Sequence, residues 1–368
     1  MNRKEFISRG LALSAVAAGG LAFSRDNLHQ GRPLYFDGLA FLGGTDDDPR
    51  DSGLSGVLWD VSAVEKVGAE YMRTMPASLK SLVGARKFLR RNPRSLFLAT
   101  KGSHVREAYQ KGKIAVFLQL QGGGEVISQD LGMMDVFYEL GMRVLQLTHH
   151  HDNAFAGGCL QKELKGLTKL GRDAVEKMNV LGIIPDVAHG SEWTGRDVAA
   201  ASRKPVIISH TGCRALVNSA RCTPDSVIKA VADSGGVVGI FSMSCWLTEE
   251  AVPTVDSYIR QLEHVIQVGG IDAVGIANDY DIAGDVEIAK LNNNNEEAVK
   301  SMYPWWRQQQ GLVGFDKLPR HVVIPELNDI RRFFSIQAAL EKRGYKAAQI
   351  EKIMGGNWLR IYTESLLR

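Results

Sequence analysis

The sequence predicts a (β/α)8 barrel of the TIM type with closing helices near its C-terminus. Eight short apolar runs recur along the chain, and helix-length amphipathic segments lie between them. Several of these runs are continuously apolar, which is typical of parallel strands that are buried on both faces. A doubly wound open sheet is the alternative architecture, but no G-x-G-x-x-G motif follows the first predicted strand.

The predicted strands follow one another at the spacing that strand–helix repeats require. They are Leu34–Phe41, Gly56–Val61, Ile114–Gln121, Arg143–Thr148, Gly182–Ala188, Pro205–Ser209, Gly236–Phe241 and Ala273–Ala277. Amphipathic helices are predicted over Leu131–Leu140, Leu170–Leu181 and Ser226–Ala232, where apolar residues recur at helical spacing. Two closing helices are predicted at Asn328–Lys342 and Ala347–Met354.

Residues 1–24 are predicted to be an export signal peptide. Arg3, Lys4 and Arg9 precede or begin an uncharged run of 14 residues, Gly10–Phe23. A membrane span needs about 20 apolar residues, so this run has the length of a signal-peptide core. The leading residues resemble a twin-arginine signal in which Lys4 replaces the second arginine. We therefore expect one barrel domain over residues 25–368, exported to the periplasm or outside the cell, with no membrane span after the signal is removed.

Composition and charge exclude several classes of protein. Hydrophobic residues make up 45% and charged residues 23% of the chain, which is typical of a globular protein. The net charge is only +3 and no long basic block occurs, so nucleic acid is not an expected partner. Four cysteines are too few for a disulfide scaffold in a chain of this length. Whether Cys213 and Cys222 pair after export is left open by the sequence.

In this barrel type, catalytic residues stand where strands end. The residues at or just after the predicted strand ends are Phe41, Asp60, Gln121, His149, His189, His210, Ser242 and Asp279. Three of the nine histidines fall there, which favours a metal or polar catalytic site. Because side chains alternate along a strand, His149 is expected to face the site and one of its neighbours in the run His149–Asp152 to face away.

Other catalytic motifs are absent. The chain has no H-E-x-x-H, G-x-S-x-G or C-x-x-C spacing, so a zincin, a serine hydrolase and a thiol redox enzyme each lack their main sequence signal.

Several phrases occur in the order typical of one enzyme family. They include Phe137–Arg143 (FYELGMR), Asp186–His189 (DVAH), Lys204–His210 (KPVIISH) and Gly355–Arg360 (GGNWLR). Together they resemble the renal or membrane dipeptidase family of zinc peptidases, and the likeness runs from about Phe36 to Arg360. It implies a (β/α)8 barrel, hydrolysis of dipeptides at two zinc ions and, since members are often dimers, a homodimer as one expected assembly.

The resemblance also implies roles for individual residues. It places two metal ligands at His189 and His210, and a histidine that contacts the substrate at His149. Arg221 matches the arginine that holds the substrate carboxylate, and Asp279 matches an acid that is suited to proton transfer.

Three positions depart from the family pattern. The first-strand motif Asp-Gly-His-x-Asp reads DGLAF over Asp37–Phe41, so that Leu39 and Phe41 replace two metal ligands. Gln121 stands where the family has a bridging glutamate. Two zinc ions held about 3.5 Å apart repel one another and need anionic ligands between them. The usual binuclear centre therefore cannot assemble from these residues.

Three interpretations remain open. In the first, a single zinc ion rests on His189 and His210, with His149, Asp279 or water completing its ligands. In the second, a relocated acid restores the centre, and the candidates are Asp37, Asp60 and Glu125. In the third, the metal is lost and the pocket only binds a dipeptide-like or amino-acid ligand through Arg221 and Asp279.

The expected reaction is amide hydrolysis of a small substrate with a free carboxylate. One zinc ion on His189 and His210 would activate water, and His149 would stabilise the tetrahedral oxyanion. Asp279 would move a proton from the water to the leaving amine, and Arg221 would clamp the carboxylate.

A catalytically inactive homologue that binds a small ligand or a partner protein is the alternative of a different class. For that protein the aromatic cluster Tyr303–Trp306, which follows the asparagine run Asn292–Asn295, predicts a partner surface. The cluster could equally be a lid, a dimer contact or a cover for the barrel floor.

Overall fold

The computed structural model describes residues 33–43, 47–68, 70–284 and 319–366. Its strands are β1 (Phe36–Asp37), β2 (Gly56–Asp60), β3 (Val64–Val67), β4 (Glu70–Arg73), β5 (Leu96–Leu98), β6 (Ile114–Leu120), β7 (Met142–Gln146), β8 (Ile184–Asp186), β9 (Ile207–Thr211), β10 (Val237–Ile240) and β11 (Val274–Ile276). All eight predicted strands are confirmed with shorter or shifted bounds, and the first keeps only Phe36–Asp37 of the predicted Leu34–Phe41. The predicted export segment, the asparagine run and the Tyr303–Trp306 cluster lie outside the described residues.

Eight parallel strands form the barrel in the order β1-β2-β6-β7-β8-β9-β10-β11. The first and last strands are joined by backbone hydrogen bonds, from Gly38 N to Ile276 O at 2.8 Å and from Asp279 N to Leu39 O at 2.8 Å. A parallel bridge between Phe41 and Asp281 extends this seam. The sheet therefore curls back to its own first strand, which confirms the (β/α)8 prediction and rules out the open, doubly wound sheet.

The helices cover the outside of the barrel. They are α1 (Met75–Arg91), α2 (Ser103–Gln110), α3 (Gly123–Val126), α4 (Met133–Glu139), α5 (Lys169–Leu181), α6 (Glu192–Ala201), α7 (Asp225–Asp233), α8 (Val255–Gly269), α9 (Arg332–Lys342), α10 (Ala347–Glu351) and α11 (Asn357–Ser365). Thr168 and Ser191 begin α5 and α6, because their hydroxyls accept the Gly171 and Thr194 amides at 3.0 Å. Among the described helices, none has the length and apolar character of a membrane span.

Two parts of the fold differ from the prediction. The first closing helix begins at Arg332 rather than Asn328, and the second continues past Glu351 through a π-helical turn, Lys352–Gly356, into α11. The antiparallel hairpin β3–β4 and the short strand β5, which pairs with the start of β6, were not predicted. The hairpin lies beside the barrel mouth, between β2 and α1, and therefore matters for the site.

The barrel interior is filled by a compact apolar cluster centred on Trp358 of α11. The cluster includes first residues of barrel strands, namely Phe36, Ile184, Ile207 and Val237. Trp358 is fully buried, and its indole Nε1 donates to Ile276 O at 3.0 Å. The four strand residues of this cluster lie at the amino ends of their strands, and Asn357 of α11 donates to Ile271 O and Val274 O at the start of β11. The chain's closing helix therefore seals the end of the barrel opposite the strand ends that carry the site.

Replacing Trp358 with alanine is expected to lower the free energy of unfolding by about 3–5 kcal/mol, since a large buried aromatic side chain leaves a cavity behind. Guanidinium unfolding followed by circular dichroism measures this. Trp193→Ala is the matched control, because Trp193 is 49% exposed on α6. Equal losses in both variants would contradict the role assigned to Trp358.

Candidate active site

The carboxyl ends of the strands bring most of the predicted site residues together. His149 and His150 follow β7, His189 follows β8, His210 lies in β9, and Asp279 follows β11. Among the described residues, His189 and Asp279 are the non-glycine residues with positive φ, at 61° and 66°. Such strained backbone persists only where the surrounding structure fixes it, and it concentrates at functional sites.

Four imidazoles form one cluster, in which the other three rings pack around that of His189. The ring centroids of His149, His150 and His210 lie 4.2, 4.6 and 4.9 Å from that of His189. Nitrogens of His149, His150 and His189 all lie within 4.8 Å of one another, a spacing that could hold a metal ion. His189 Nε2 and His210 Nε2 are closer still, at 2.8 Å. The predicted pair therefore meets, and His150 joins it.

A hydrogen-bond chain fixes which nitrogen of His210 carries the proton. Asp186 accepts from the Ala188 and Ser209 amides, from the Ser209 hydroxyl at 2.6 Å and from Gln119 Nε2. Burial raises the pKa of Asp186, while the four donors around it favour its ionised form. With Asp186 ionised, Ser209 donates to it, and the Ser209 oxygen accepts from His210 Nδ1 at 2.7 Å. This leaves a lone pair on His210 Nε2 that points towards His189.

Arg221 determines which nitrogen of His189 carries the lone pair. It is 3% exposed, and its Nη2 lies 3.0 Å from His189 Nε2 and 3.2 Å from His210 O. Its guanidinium also lies over the rings of Phe241 and Trp246, at 5.0 and 5.8 Å. A guanidinium can only donate, so His189 Nε2 presents a lone pair as well. Two lone pairs thus converge at 2.8 Å, an arrangement that a cation between them would stabilise.

All three predicted histidines are in the form that binds metals. Burial, followed by the charge of Arg221, lowers the pKa of His189 and His210 well below the ordinary value. Burial and then the charge of Arg73 lower the pKa of His149 in the same direction. Neutral imidazole is the ligand that zinc prefers. In contrast, His151 is exposed, and its Nδ1 lies 3.1 Å from Gln161 Nε2, so it is the neighbour that faces away.

Asp279 has the electrostatics of a proton acceptor. Burial raises its pKa to about 7; Arg221 opposes this shift, and the negative charge of Asp60 adds to it. A carboxylate that gains and loses a proton near neutral pH is suited to general acid–base work. Asp281 instead accepts the Ala283 amide at 3.0 Å with its side chain, which makes it a turn residue.

The three positions that depart from the family pattern do not supply metal ligands. Leu39 is fully buried, while Phe41 is 36% exposed and Gln121 is neutral. None of the three relocated acids considered above joins the imidazole group in the described part of the chain. Asp37 is fully buried and accepts the Leu39 amide at 3.1 Å; Asp60 accepts both the amide and hydroxyl of Ser62.

The donor set therefore does not fit two metal ions, but it does fit one. A two-ion centre needs anionic bridging oxygens, and the imidazole group contains none. A single zinc ion is held in other proteins by three neutral imidazoles, and these are present. Ligand nitrogens on one tetrahedral zinc lie about 3.3 Å apart, so the His189–His210 pair needs only a small opening from 2.8 Å.

Two features were not foreseen. His150 follows β7, which ends at Gln146, so the alternation rule for strands no longer applies and adjacent histidines both reach the cluster. Arg73 comes from the unpredicted hairpin, and its residue type alone carries no signal.

Cys213 and Cys222 are both free thiols; their Sγ atoms donate to Gln261 O and Trp246 O.

A parallel barrel with imidazoles, an arginine and an acid at its carboxyl end defines a barrel metallohydrolase. The chain belongs to the membrane dipeptidase family (Peptidase family M19), whose family model matches residues 48–297. An amidohydrolase from Pseudomonas aeruginosa is similar in structure, at 25% identity and a TM-score of 0.76 over 93% of this chain and 99% of that chain.

Two further solved structures share the fold. A metallo peptidase from Rhodobacter sphaeroides, liganded with a phosphinate mimic of the dipeptide L-Ala-D-Ala, is 20% identical with a TM-score of 0.71, over 91% of this chain and 99% of that one. The probable dipeptidase PvdM from Pseudomonas aeruginosa is 21% identical with a TM-score of 0.73, over 93% of this chain and 97% of its own.

Proposed function

We propose that the protein is an exported hydrolase of dipeptides or similar small amides with a free carboxylate, working with one zinc ion instead of the family's two. The observation that carries the proposal is the convergence of the His189 and His210 lone pairs. The Asp186–Ser209 chain orients one of these lone pairs, and the contact with Arg221 identifies the other, which the guanidinium would release when a metal ion binds. His149 and His150 each present a nitrogen within 4.8 Å of one on His189, and are the candidates for the further nitrogens that a zinc site requires.

Each remaining residue has a role that its surroundings support. A zinc ion on His189 and His210 supplies Lewis acidity and lowers the pKa of water. Asp279 accepts the proton of the attacking water and returns it to the leaving amine. Arg221 binds the substrate carboxylate, because its buried guanidinium is held rigidly over Phe241 and faces the histidine cluster. Whichever of His149 and His150 is not engaged by the metal donates to the oxyanion.

Hydrolysis of a panel of dipeptides and N-acyl amino acids tests this function. We expect the zinc-supplied protein to release free amine from at least one member of the panel, measured by chromatography. His189→Ala should abolish release, while His151→Ala, which removes an exposed histidine outside the cluster, should not. Release that survives in His189→Ala, or none from any substrate, would contradict the proposal.

The rate should depend on pH through Asp279. A general base works in its ionised form, so kcat/KM is expected to rise with pH and to level off above about pH 7, where the Asp279 carboxyl has lost its proton. Asp279→Asn should remove the rise together with most of the activity. Asp281→Asn, the same change in a turn residue two positions away, should keep both. A flat profile in the unmodified protein would show that Asp279 is not the base.

A metal-free binding protein is the second candidate, and one observation favours it. Arg221 Nη2 occupies the lone pair of His189 at 3.0 Å, which is the position that a metal ion would need. In such a protein the guanidinium would complete the histidine cluster itself, and the same pocket would bind a carboxylate without hydrolysis.

A further inference from the structure

Arg73 reaches the barrel mouth from the hairpin β3–β4. It is the last residue of β4 and is half-buried. A Cβ atom placed on Gly122, directly after β6, would lie 2.9 Å from Arg73 Cδ and 3.0 Å from Glu125 Oε1. The backbone of Gly122 has φ 67°, which favours glycine, and the arginine side chain crosses close to it, beside Gln121 at the position of the family's bridging glutamate.

The Arg73 side chain keeps one donor unmet in the described part of the chain, although its charge acts on the nearby carboxyls of Asp60 and Glu125. Its Nε is buried without a hydrogen-bond acceptor, and no carboxylate in the described ranges forms an ion pair with it. The nearby acid Asp60 is engaged by the Ser62 amide and hydroxyl, at 2.9 and 2.8 Å. A partly buried cation without an acceptor is costly unless a ligand completes it.

Arg73 and Arg221 both act on His149. Arg73 passes Gly122 near the end of β6, and His149 follows β7, the strand that pairs with β6; the charges of both arginines act on its imidazole. Arg221 comes from the loop after β9, whereas Arg73 comes from the hairpin after β2. Substrate bound against the histidine cluster would thus meet one arginine from each of two separate segments. A ligand with a single carboxylate would satisfy only one of them.

We propose that Arg73 is a second carboxylate-binding residue of this site, and that the substrates are amides with two carboxylates: dipeptides or N-acyl amino acids in which aspartate or glutamate carries the free carboxylate. Arg221 holds the α-carboxylate and Arg73 the side-chain carboxylate. The proposal rests on the proposed function for the role of Arg221, and it deepens that function by naming the substrate class.

Two ligands of nearly equal shape, of which only one carries a side-chain carboxylate, isolate the contribution of that carboxylate to binding. N-acetylglutamate and N-acetylglutamine share the α-carboxylate and differ in the side-chain charge. By calorimetry on the full chain, with the cell contents checked for hydrolysis, we expect N-acetylglutamate to bind at least ~10-fold more tightly, as a hydrogen bond between charged groups does. In Arg73→Gln the ratio should fall to about one, with the affinity for N-acetylglutamine unchanged.

Two further variants serve as controls for this test. Arg73→Lys keeps the charge and should retain part of the preference, which a misfolded variant would not. Lys66→Gln removes an exposed cation from the neighbouring strand β3 and should leave the preference intact. Equal binding of the two ligands by the unmodified protein, a preference that survives in Arg73→Gln, or no binding of either ligand would each overturn the assignment.

The outcomes for this proposal and for hydrolysis are distinguishable. A preference that is lost in Arg73→Gln, with no hydrolysis of any panel substrate, would remove the proposed function and leave the two-carboxylate site standing. Hydrolysis of neutral and acidic dipeptides at equal rates and equal affinity would support the proposed function and remove the two-carboxylate site.

Discussion

Arg221→Met is expected to raise KM for a dipeptide by about 100-fold, because a rigid, buried guanidinium that binds a carboxylate contributes about 3 kcal/mol. The kcat value should fall less, since the carboxylate is held alike in the bound substrate and in the transition state. Arg221→Lys should lose about tenfold, because lysine keeps the charge but not the planar fork. Steady-state kinetics of the zinc-supplied protein measure these changes.

The matched control for Arg221 is Arg196→Met on the exposed face of α6, which removes a cation far from the histidine cluster and should leave KM unchanged. Zinc content should be retained in Arg221→Met, because the guanidinium is not a metal ligand and its removal frees the lone pair of His189 Nε2. An unchanged KM in Arg221→Met would show that the substrate carboxylate is held elsewhere.

Restoring the family's metal ligands at positions 39, 41 and 121 should raise activity instead of lowering it. The triple variant Leu39→His, Phe41→Asp, Gln121→Glu is expected to bind a second zinc ion and to raise kcat/KM for dipeptides by about 100-fold, since paired ions stabilise both the attacking and the leaving groups. Replacing the buried Leu39 costs roughly 2–5 kcal/mol of stability. The melting temperature should therefore fall without zinc and recover when zinc is added.

The control for the triple variant is Leu39→Asn, Phe41→Asn with Gln121 unchanged. It introduces polar groups at the same positions but supplies no charge, so it should lose stability without gaining zinc. If the fully restored variant still held one ion, the missing anionic ligands would not be the reason that the second ion is absent.

The sequence predicts the barrel well because its strands are buried on both faces. The run Ile114–Leu120 is apolar at every position except Gln119 and is fully buried, and burial of this kind leaves a strong sequence pattern. The hairpin β3–β4 has the opposite character: Val64–Val67 is largely exposed and reads as a polar loop. Strand β5 has only three residues, which is too short for periodicity to identify.

The site is predicted in its residue types but not in its geometry. Strand ends locate His189, His210 and Asp279, since topology places those ends together. The left-handed backbone at His189 and Asp279 has no local signal, because it is imposed by packing around the barrel mouth. Arg73 could not be found from the sequence, since its position depends on the hairpin and on the space left by Gly122.

Zinc content of the purified protein tests the central claim most directly. Elemental analysis after zinc supply and exhaustive dialysis should give about one equivalent for the unmodified chain and for His151→Ala, and almost none for His189→Ala, as expected for one site built on neutral imidazoles. About two equivalents in the unmodified chain would mean that other ligands replace Leu39, Phe41 and Gln121. No bound zinc would contradict the hydrolase and leave a pocket that binds carboxylates.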